Sequence, residues 1–227
     1  MKILAMDSSA KSASVAACSD GELMAQYFQN SGLTHSRTLL VMVEDLLKNL
    51  ELSISDFDLI AVASGPGSFT GVRIGVSAAK GLALGADLPV CGVSTLLAMA
   101  HQIHLPDIRL CAVMDARRNQ VYNAIFECSA GLPQRLSQDR AISLEELAEE
   151  LSAYGSQICL IGDGAQISYD FLTKANIPCI LASPLLRSQT AYGVALAAMH
   201  SDSVDAVDLA PFYLRPSQAE RERMARQ

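Results

Sequence analysis

The sequence contains no tryptophan, and aromatic residues make up only 5% of its 227 residues. Hydrophobic residues nevertheless account for 50% of the chain, and charged residues for 18%. A substantial core is therefore available, and it must be built mainly from leucine, alanine, valine and isoleucine. Side chains of this size allow helices to approach each other closely. The length suits one large domain or two small ones.

The sequence also lacks the cysteine spacing of a zinc site. No two of its cysteines stand in a C-x-x-C pair, and each lies in or beside an apolar run. The six cysteines are Cys18, Cys91, Cys111, Cys128, Cys159 and Cys179. This pattern argues against a structural zinc and predicts small, buried thiols in a reducing cytosol.

Two further absences concern membranes and nucleic acids. No apolar run reaches the ~20 residues that a transmembrane helix needs. Asp7 interrupts the short apolar N-terminus, so we expect no signal peptide and a soluble, cytoplasmic protein. The formal net charge of −7 argues against a broad phosphate-binding surface on this chain alone. It is compatible with a role in a complex whose other members supply positive charge to an RNA.

The order of predicted elements is similar in the two halves of the chain. The first half reads β-β-β-α-β-α-β-α, and the second also opens with strands before helices and strands alternate. The first strand of each half ends in an aspartate, Asp7 or Asp115. The pattern predicts an α/β fold of two related lobes with a boundary near residues 104–107. We assign one lobe to residues 1–104 and the other to residues 105–214. Residues 215–227 are expected to form a charged tail that packs back or is disordered.

Local signals define several of these elements. Asp20-Gly21 is a hairpin turn signal between the second and third strands. Ser143 followed by Glu146 is a capping box at the start of a helix. Further predicted elements are a helix from Thr34 or Ser36 to about Leu50, a strand over Asp58–Gly65, a helix over Val72–Leu84 and a strand around Leu136.

The stretch SGPGSFTGVRIG carries three glycines, Gly65, Gly67 and Gly71, ahead of a helix. Their spacing matches neither a Walker A loop nor the G-x-G-x-x-G fingerprint. A strand, a glycine turn and a helix N-terminus can bind an anion through free N–H groups. The same glycines can instead permit a strained turn and a closely packed helix. We favour the strained turn. An anion bound at the amides of residues 69–71 would instead indicate an anion-binding site.

Three loops have the placement, although not the sequence, of nucleotide-binding loops. Asp7 and Asp115 end strands, as carboxylates do in two-lobed ATP-binding folds. Serines follow Asp7 where a glycine turn is preferred, and Ala-Arg-Arg follows Asp115. The turn Gly162-Asp163-Gly164 either abuts an adenosine or connects a strand to a helix. These degenerate nucleotide-loop residues are Asp7, Ser8, Ser9, Asp115, Gly162 and Gly164, and we predict no bound cofactor.

Patterns for a metal or a nucleophile are missing. Leu39 stands four residues after His35, so no two-histidine helical metal site can form there. His101-x-x-His104 has no suitably spaced acid, and we interpret both histidines as polar-face residues. Neither G-x-S-x-G nor a cysteine–histidine signature accompanies Ser68. We therefore predict no metal site and no catalytic residue.

The helix that ends near Leu50 has an apolar stripe wider than one core contact requires. At ~100° per residue its apolar positions cover ~160° of the circumference, which suggests a second buried surface. The next helix carries glycine and alanine along one side, and glycine costs ~1 kcal/mol relative to alanine inside a helix. A closely approaching helix would compensate that cost. The predicted partner interface comprises Leu39, Val43, Leu46, Leu47, Ile74, Gly75, Ala78, Gly81 and Leu82.

Five motifs in order give the chain a family resemblance. Asp7-Ser8-Ser9, SGPGSFTGVRIG, MDARRNQVY, IGDGA and PFYLR together resemble the TsaB family, also called YeaZ, over essentially the full length. The resemblance implies two ribonuclease-H-like lobes of the actin and sugar-kinase (ASKHA) superfamily. It also implies a role in the bacterial machinery that makes N6-threonylcarbamoyladenosine (t6A) at position 37 of tRNAs that read ANN codons.

The resemblance further implies a scaffold subunit without catalytic activity. Its partner would be a TsaD-like catalytic subunit, bound through the two predicted helices as a four-helix bundle. A homodimer would form through the same helices when that partner is absent. A TsaE-like ATPase and a separate threonylcarbamoyl-AMP synthase complete the machinery, and tRNA would meet this subunit only indirectly. Arg117, Arg118 and the C-terminal arginines are candidate tRNA contacts, but we interpret them as solvated surface charge.

Two other classes of function stay open. The first is a stand-alone ATPase or a metallopeptidase of the "glycoprotease" type, which requires productive binding of ATP or metal. Calorimetry on purified, metal-analysed protein would detect that binding. The second is a dedicated homodimeric protein with a role in cell survival or protein turnover. Loss of the tRNA modification on deletion, rescued by this gene, would count against the second class.

Overall fold

The apolar runs that open the chain form the first of two sheets. The computed structural model describes residues 1–103, 108–129, 132–154 and 158–215. The strands of the first sheet are β1 (Lys2–Asp7), β2 (Ala13–Ser19), β3 (Glu22–Gln29), β4 (Leu59–Gly65) and β5 (Val90–Ser94). Their order is β3-β2-β1-β4-β5, with β1, β2 and β3 antiparallel and with β4 and β5 parallel to β1.

The turn between β2 and β3 confirms the predicted hairpin. Asp20 and Gly21 have φ angles of 50° and 86°. A two-residue turn of type I′ requires positive φ at both central positions, and Asp-Gly is a preferred pair there.

The second sheet repeats the arrangement of the first. Its strands are β6 (Ile108–Asp115), β7 (Gln120–Ser129), β8 (Leu132–Arg135), β9 (Arg140–Ser143), β10 (Ile158–Ile161) and β11 (Ile180–Leu181). β6 pairs antiparallel with β7 and parallel with β10, as β1 does with β2 and β4. This repetition confirms the predicted α/β fold, with two mixed sheets of similar topology. The strand expected around Leu136 ends at Arg135, and β9 has no counterpart among the predicted strands.

Within the described residues, five α-helices lie between strands and a sixth follows the last strand. They are α1 (His35–Leu50), α2 (Phe69–Ala86), α3 (Thr95–His101), α4 (Leu144–Tyr154), α5 (Ala165–Lys174) and α6 (Ala191–Ala198). α2 begins earlier than predicted because Ser68 caps it, with its Oγ accepting a hydrogen bond from Gly71 N at 3.3 Å. The predicted capping box forms, because Glu146 accepts from Ser143 N and Ser143 Oγ accepts from Glu146 N. Thr34 occupies the N-cap of α1 without a side-chain hydrogen bond.

The helices bury both faces of each sheet. α1 and α2 cover one face of the first sheet, and α6 covers the other. α3 packs on α6 and on the second sheet, whose opposite face is covered by α4 and α5. A methyl group on Gly193 of α6 would lie 2.3 Å from the carbonyl oxygen of Ala98 in α3. Small residues therefore set the close helix packing, as the composition predicts.

The last described residues return from the second sheet to the first. α6 packs on β1 and β2, and Val204 forms a bridge with Val90 in β5. The predicted boundary near residues 104–107 lies outside the described residues, as do residues 216–227 of the tail. The assignment of the lobes to 1–104 and 105–214 stays a prediction. The contacts of α6 indicate that part of the second range packs with the first lobe.

The cysteines have the environment that the sequence predicts. Five are buried, Cys179 is partly buried, and all six are free thiols. Burial raises the pKa of Cys18 and of Cys111 to about 12, so neither forms a reactive thiolate near neutral pH. Among the described residues, no helix combines the length and the hydropathy needed to cross a bilayer.

Candidate functional site

The ends of β1 and β6 and the loop after β10 meet at a cleft between the two sheets. Asp7 is fully buried there, and its Oδ1 accepts hydrogen bonds from Ser9 N at 2.8 Å and Ser9 Oγ at 2.7 Å. Its Oδ2 has no hydrogen-bond partner among the described residues. Burial raises the pKa of Asp7 to about 6, and the negative charge of Asp163 adds to the rise.

Two serines attach the β1–β2 turn to the start of α2. Ser8 Oγ donates to the carbonyl oxygen of Gly71 at 2.9 Å, and Ser68 N donates to the carbonyl oxygen of Ser9 at 2.6 Å. A methyl group on Gly67 would lie 2.4 Å from the carbonyl oxygen of Ser9. The glycine-rich stretch is therefore a packed strand-to-helix turn, which confirms the favoured interpretation. The amide of Gly71 donates to Ser68 Oγ within this turn.

Asp115 ends β6 at the mouth of the cleft and is exposed. Its Oδ1 accepts a hydrogen bond from Arg117 N at 2.7 Å. Arg117, Arg118 and Asn119 follow with φ angles of 65°, 57° and 56°. The left-handed conformation costs residues with a side chain roughly 1–2 kcal/mol each. Leu144 N holds the turn by donating to the carbonyl oxygen of Asn119 at 3.1 Å.

The Gly-Asp-Gly turn after β10 packs directly on β6. Gly162 has a φ of 97°, and a methyl group there would lie 2.2 Å from the carbonyl oxygen of Val113. Gly164 approaches the backbone of the same strand. Asp163 accepts a hydrogen bond from Gln189 Nε2 at 2.9 Å, and burial raises its pKa. These backbone contacts account for both glycines without a nucleotide.

A cavity of about 410 Å³ lies between these turns. Side chains from both lobes line it, among them Lys11, Ser68, Asp115, Arg117, Tyr122 and Asp163. Ser9 uses its amide and its hydroxyl on Asp7, so neither group is free to hold a phosphate. No group of three or more histidine, cysteine or acidic residues suited to a metal occurs within the described ranges. Ser9 therefore contributes no free donor to a phosphate cradle in this cleft.

The histidines of the described residues have structural contacts. His35 Nε2 lies 2.8 Å from the carbonyl oxygen of Ala10, which links α1 to the β1–β2 turn. His101 is buried, and its ring stacks on His200 with centroids 5.9 Å apart. The predicted polar-face position is therefore wrong for His101, because α3 packs between the two sheets. His104 lies outside the described residues.

The outward surface of α1 and α2 forms an apolar groove, which we call the α1/α2 groove. Its volume is about 550 Å³. Leu40 lines it, and this side chain is 51% exposed, while the neighbouring Val41 is 52% exposed. Ile74, Ser77 and Ala78 of α2 line the opposite side.

Part of the predicted partner interface belongs instead to the core of this chain. Leu39, Val43 and Leu46 are buried in the cluster between α1, α2 and the first sheet. Gly75 is buried, and a methyl group there would lie 2.6 Å from Ser8 Oγ. The predicted interface is corrected at these four positions, since the wide stripe of α1 contacts both the sheet and α2. The remaining predicted residues are the partly buried Leu47, Ile74, Ala78 and Leu82 and the exposed Gly81.

The segment after α6 joins the α1/α2 groove to the cleft. Tyr213 OH accepts a hydrogen bond from Arg73 Nε at 2.7 Å, and its ring stacks on Phe69 with centroids 4.9 Å apart. Arg215 Nη1 donates to the carbonyl oxygen of Ala116 in the β6–β7 turn at 3.2 Å. The PFYLR motif marks this segment in the sequence. Its contacts could not be predicted, because Arg73 and Tyr213 are 140 positions apart.

Comparison with known proteins connects this geometry to a family. A family model described as "TsaD: tRNA N6-adenosine threonylcarbamoyltransferase" matches residues 29–199. The tRNA threonylcarbamoyladenosine biosynthesis protein TsaB of Escherichia coli K12 is 37% identical over 169 residues, which are 73% of this chain and 73% of that protein. The chain belongs to the TsaB family. The TsaB of Bacillus subtilis 168 is 28% identical over 221 residues, or 97% of this chain and 96% of the relative.

Two solved structures from Pseudomonas aeruginosa share the fold of this TsaB-family chain. One is described as YeaZ and superimposes with a TM-score of 0.79 at 27% identity. The other, an uncharacterized protein with similarity to the peptidase YeaZ, has a TM-score of 0.81 at 28% identity. Each match covers 94% of this chain and 99% of the solved chain. The resemblance inferred from the motifs is thereby confirmed.

Proposed function

We propose that this chain serves in tRNA threonylcarbamoyladenosine biosynthesis as a non-catalytic scaffold for a TsaD-like catalytic subunit. The names of its TsaB relatives support the pathway. The match to a model described as TsaD supports a common origin with the proposed partner. The proposal assigns the protein to the cytoplasm.

The α1/α2 groove is the observation that carries the proposed pairing. The exposed Leu40 lines one side of the groove and the partly buried Ile74 the other, and the exposed Val41 follows Leu40 on α1. A contiguous exposed apolar patch of this kind is typical of a protein–protein interaction site. Ser77 and Ala78 are small, so a partner helix can approach α2 closely. We expect the interface to bury more than ~1,000 Å².

A partner with an equivalent pair of helices would complete a four-helix bundle on this groove. A second copy of this chain carries the same groove, so the proposal includes a homodimer when the catalytic subunit is absent. It also includes a TsaE-like ATPase in the assembled complex. The engagement of the amide and hydroxyl of Ser9 by Asp7, in place of a phosphate cradle, supports a non-catalytic role.

Replacing a groove leucine by glutamate tests the pairing. Leu40→Glu adds a charge to the groove, and Leu185→Glu adds the same charge at a leucine of the second lobe that is 85% exposed. Each variant is mixed with the TsaD-like subunit, and light scattering after size exclusion gives the mass of the complex. We expect Leu40→Glu to abolish the complex and Leu185→Glu to retain it. A complex of unchanged mass with a folded Leu40→Glu variant would overturn the pairing.

The alternative of a stand-alone ATPase or metallopeptidase makes the opposite prediction for the isolated chain. Tight binding of magnesium ATP with turnover, measured by calorimetry on metal-analysed protein, would favour the enzyme over the scaffold. Binding without turnover, or none, would favour the scaffold.

A further inference from the structure

Positive charge is concentrated around the cleft of an otherwise acidic chain. Lys11, Arg117 and Arg215 line the same cavity, although they come from the β1–β2 turn, the β6–β7 turn and the C-terminal segment. Arg118 is exposed beside Arg117, and Arg73 lies over the ring of Phe69 at the edge of the cavity. Three cations therefore line this cavity, and Arg118 and Arg73 lie beside residues that line it, in a protein with a formal net charge of −7.

Two carboxylates, Asp115 and Asp163, line the same cavity and offset part of this positive charge. Asp115 is already engaged, because its Oδ1 accepts a hydrogen bond from Arg117 N. Asp163 is exposed and accepts a hydrogen bond from Gln189 Nε2. The side chains of Arg117 and Arg118 are also exposed, and they form no ion pair with any described residue. Their charge is thus available to an anionic ligand.

Aromatic side chains line the same cavity in a chain that has few of them. They are Phe69, Tyr122, Phe212 and Tyr213. Phe212 is 47% exposed and Tyr213 is 38% exposed. Exposed rings interleaved with cations are typical of surfaces that bind single-stranded nucleic acid, because bases stack on the rings while phosphates meet the cations. The volume of about 410 Å³ is in the range of a small-ligand site.

The backbone of the β6–β7 turn supports a functional role for its arginines. Three successive residues, Arg117, Arg118 and Asn119, adopt the left-handed conformation that side chains disfavour. Such strain persists where the surroundings hold it and is common at binding sites. Backbone hydrogen bonds of Ala116, Gln120 and Leu144 hold the turn, together with the side chain of Asp115, which accepts from Arg117 N. The conformation therefore directs two arginines into solvent without using their side chains.

We propose that the mouth of this cleft binds a single-stranded RNA loop, with phosphates on Arg117, Arg118 and Arg215 and an unstacked base on the rings of Phe212 and Tyr213. The inference rests on the proposed function, which supplies a tRNA as the substrate of the complex. It departs from the expectation that tRNA meets this subunit only indirectly. That expectation came with the family resemblance and agreed with the net charge of the whole chain, whereas the fold gathers cations that are distant in sequence.

The test measures RNA affinity of the complex between this chain and its TsaD-like partner. An unmodified, fluorescently labelled tRNA that reads ANN codons is titrated at several salt concentrations. The variants are Arg117→Gln with Arg118→Gln, and Lys174→Gln is the control at an exposed cation of α5. We expect the double variant to bind about tenfold more weakly, with a salt slope smaller by about 2. The control should leave both quantities unchanged.

Several outcomes decide the proposal. Unchanged affinity and salt slope in the double variant would overturn it. Displacement of the RNA by AMP, added at the same concentration as the RNA, would also overturn the proposal. The cleft would then be a mononucleotide site. Recovery of the affinity by Arg117→Lys with Arg118→Lys would support a phosphate contact. If the tRNA is modified without this chain but the double variant still loses RNA affinity, the proposed function fails and the RNA site stands.

Discussion

A methyl group on Gly71 would lie 2.1 Å from the carbonyl oxygen of Ser8. In return, Ser8 Oγ donates a hydrogen bond to the carbonyl oxygen of Gly71 at 2.9 Å. α2 can therefore pack on the end of β1 only if residue 71 has no side chain. Since α2 forms one side of the α1/α2 groove, this contact also fixes the position of the proposed partner surface.

Replacing either of two glycines of α2 by alanine should change the stability of the chain in opposite directions. We expect Gly71→Ala to lower the free energy of unfolding by roughly 1–3 kcal/mol, because Ser8 must move. Gly81 has no atom within 4 Å of the added methyl group, so Gly81→Ala should raise that free energy by up to ~1 kcal/mol through helix propensity. Urea denaturation of both variants measures the difference. Equal effects would refute the packing role of Gly71.

Neighbouring leucines on α1 should separate the core from the partner surface. Leu39 is buried, so Leu39→Ala should cost about 2–5 kcal/mol of folding free energy. Leu40 is exposed, so Leu40→Ala should change the stability of the isolated chain by less than about 0.5 kcal/mol. Denaturation of the monomer measures its stability, and a pull-down with the TsaD-like subunit measures complex formation. A weakened complex with unchanged stability is expected only for Leu40→Ala.

The buried carboxyl group of Asp7 should make stability depend on pH. Its pKa is about 6 in the folded chain, against 3.8 for an ordinary aspartate. The folded state therefore binds more protons between these values, and its stability falls as the pH rises through this window. The loss is on the order of 3 kcal/mol above pH 6. Asp7→Asn removes this pH dependence while it keeps an acceptor for Ser9.

The measurement for Asp7 is the stability difference between Asp7→Asn and the wild type, taken by urea denaturation at about pH 4 and about pH 8. The change in this difference isolates the carboxyl group from the cost of a buried amide. We expect it to shift in favour of the variant at the higher pH. A difference that is independent of pH would show that Asp7 ionises normally.

Lys80 should hold the segment that follows α6. Its Nζ donates to the carbonyl oxygens of Val207 at 2.8 Å and Leu209 at 3.0 Å. Lys80→Met keeps the length of the side chain and removes both hydrogen bonds, each worth about 1.5–3 kcal/mol when charged. We expect faster amide exchange over residues 204–215, measured by mass spectrometry, with little change in β1. Lys174→Met, at an exposed position of α5, is the control.

Local patterns in the sequence were sufficient to predict most of the fold. Asp20-Gly21 specified a hairpin and Ser143 with Glu146 a capping box, because both signals act within a few residues. The four-residue strand β9 is too short to show a period, and its pairing with β7 depends on the rest of the sheet. The start of α2 was missed because Ser68 acts as its cap.

The candidate surfaces were harder to predict, because they depend on burial. The apolar period of α1 could not distinguish Leu39, which faces the core, from Leu40, which faces solvent. Gly75 was assigned to a partner, whereas Ser8 occupies the space beside it. The sequence shows Arg117 and Arg118 as surface charge, but the grouping of Arg117 with Lys11 and Arg215 depends on the fold.

The most direct test of the account is reconstitution of the tRNA modification from purified components, with threonylcarbamoyl-AMP synthase and TsaD-like and TsaE-like subunits. Mass spectrometry of tRNA nucleosides measures threonylcarbamoyladenosine with the wild-type chain, with Leu40→Glu, with Leu185→Glu and without the chain. The account predicts modification with the wild type and Leu185→Glu, and its loss with Leu40→Glu or without the chain. Full modification with Leu40→Glu, or in the absence of the chain, would contradict it.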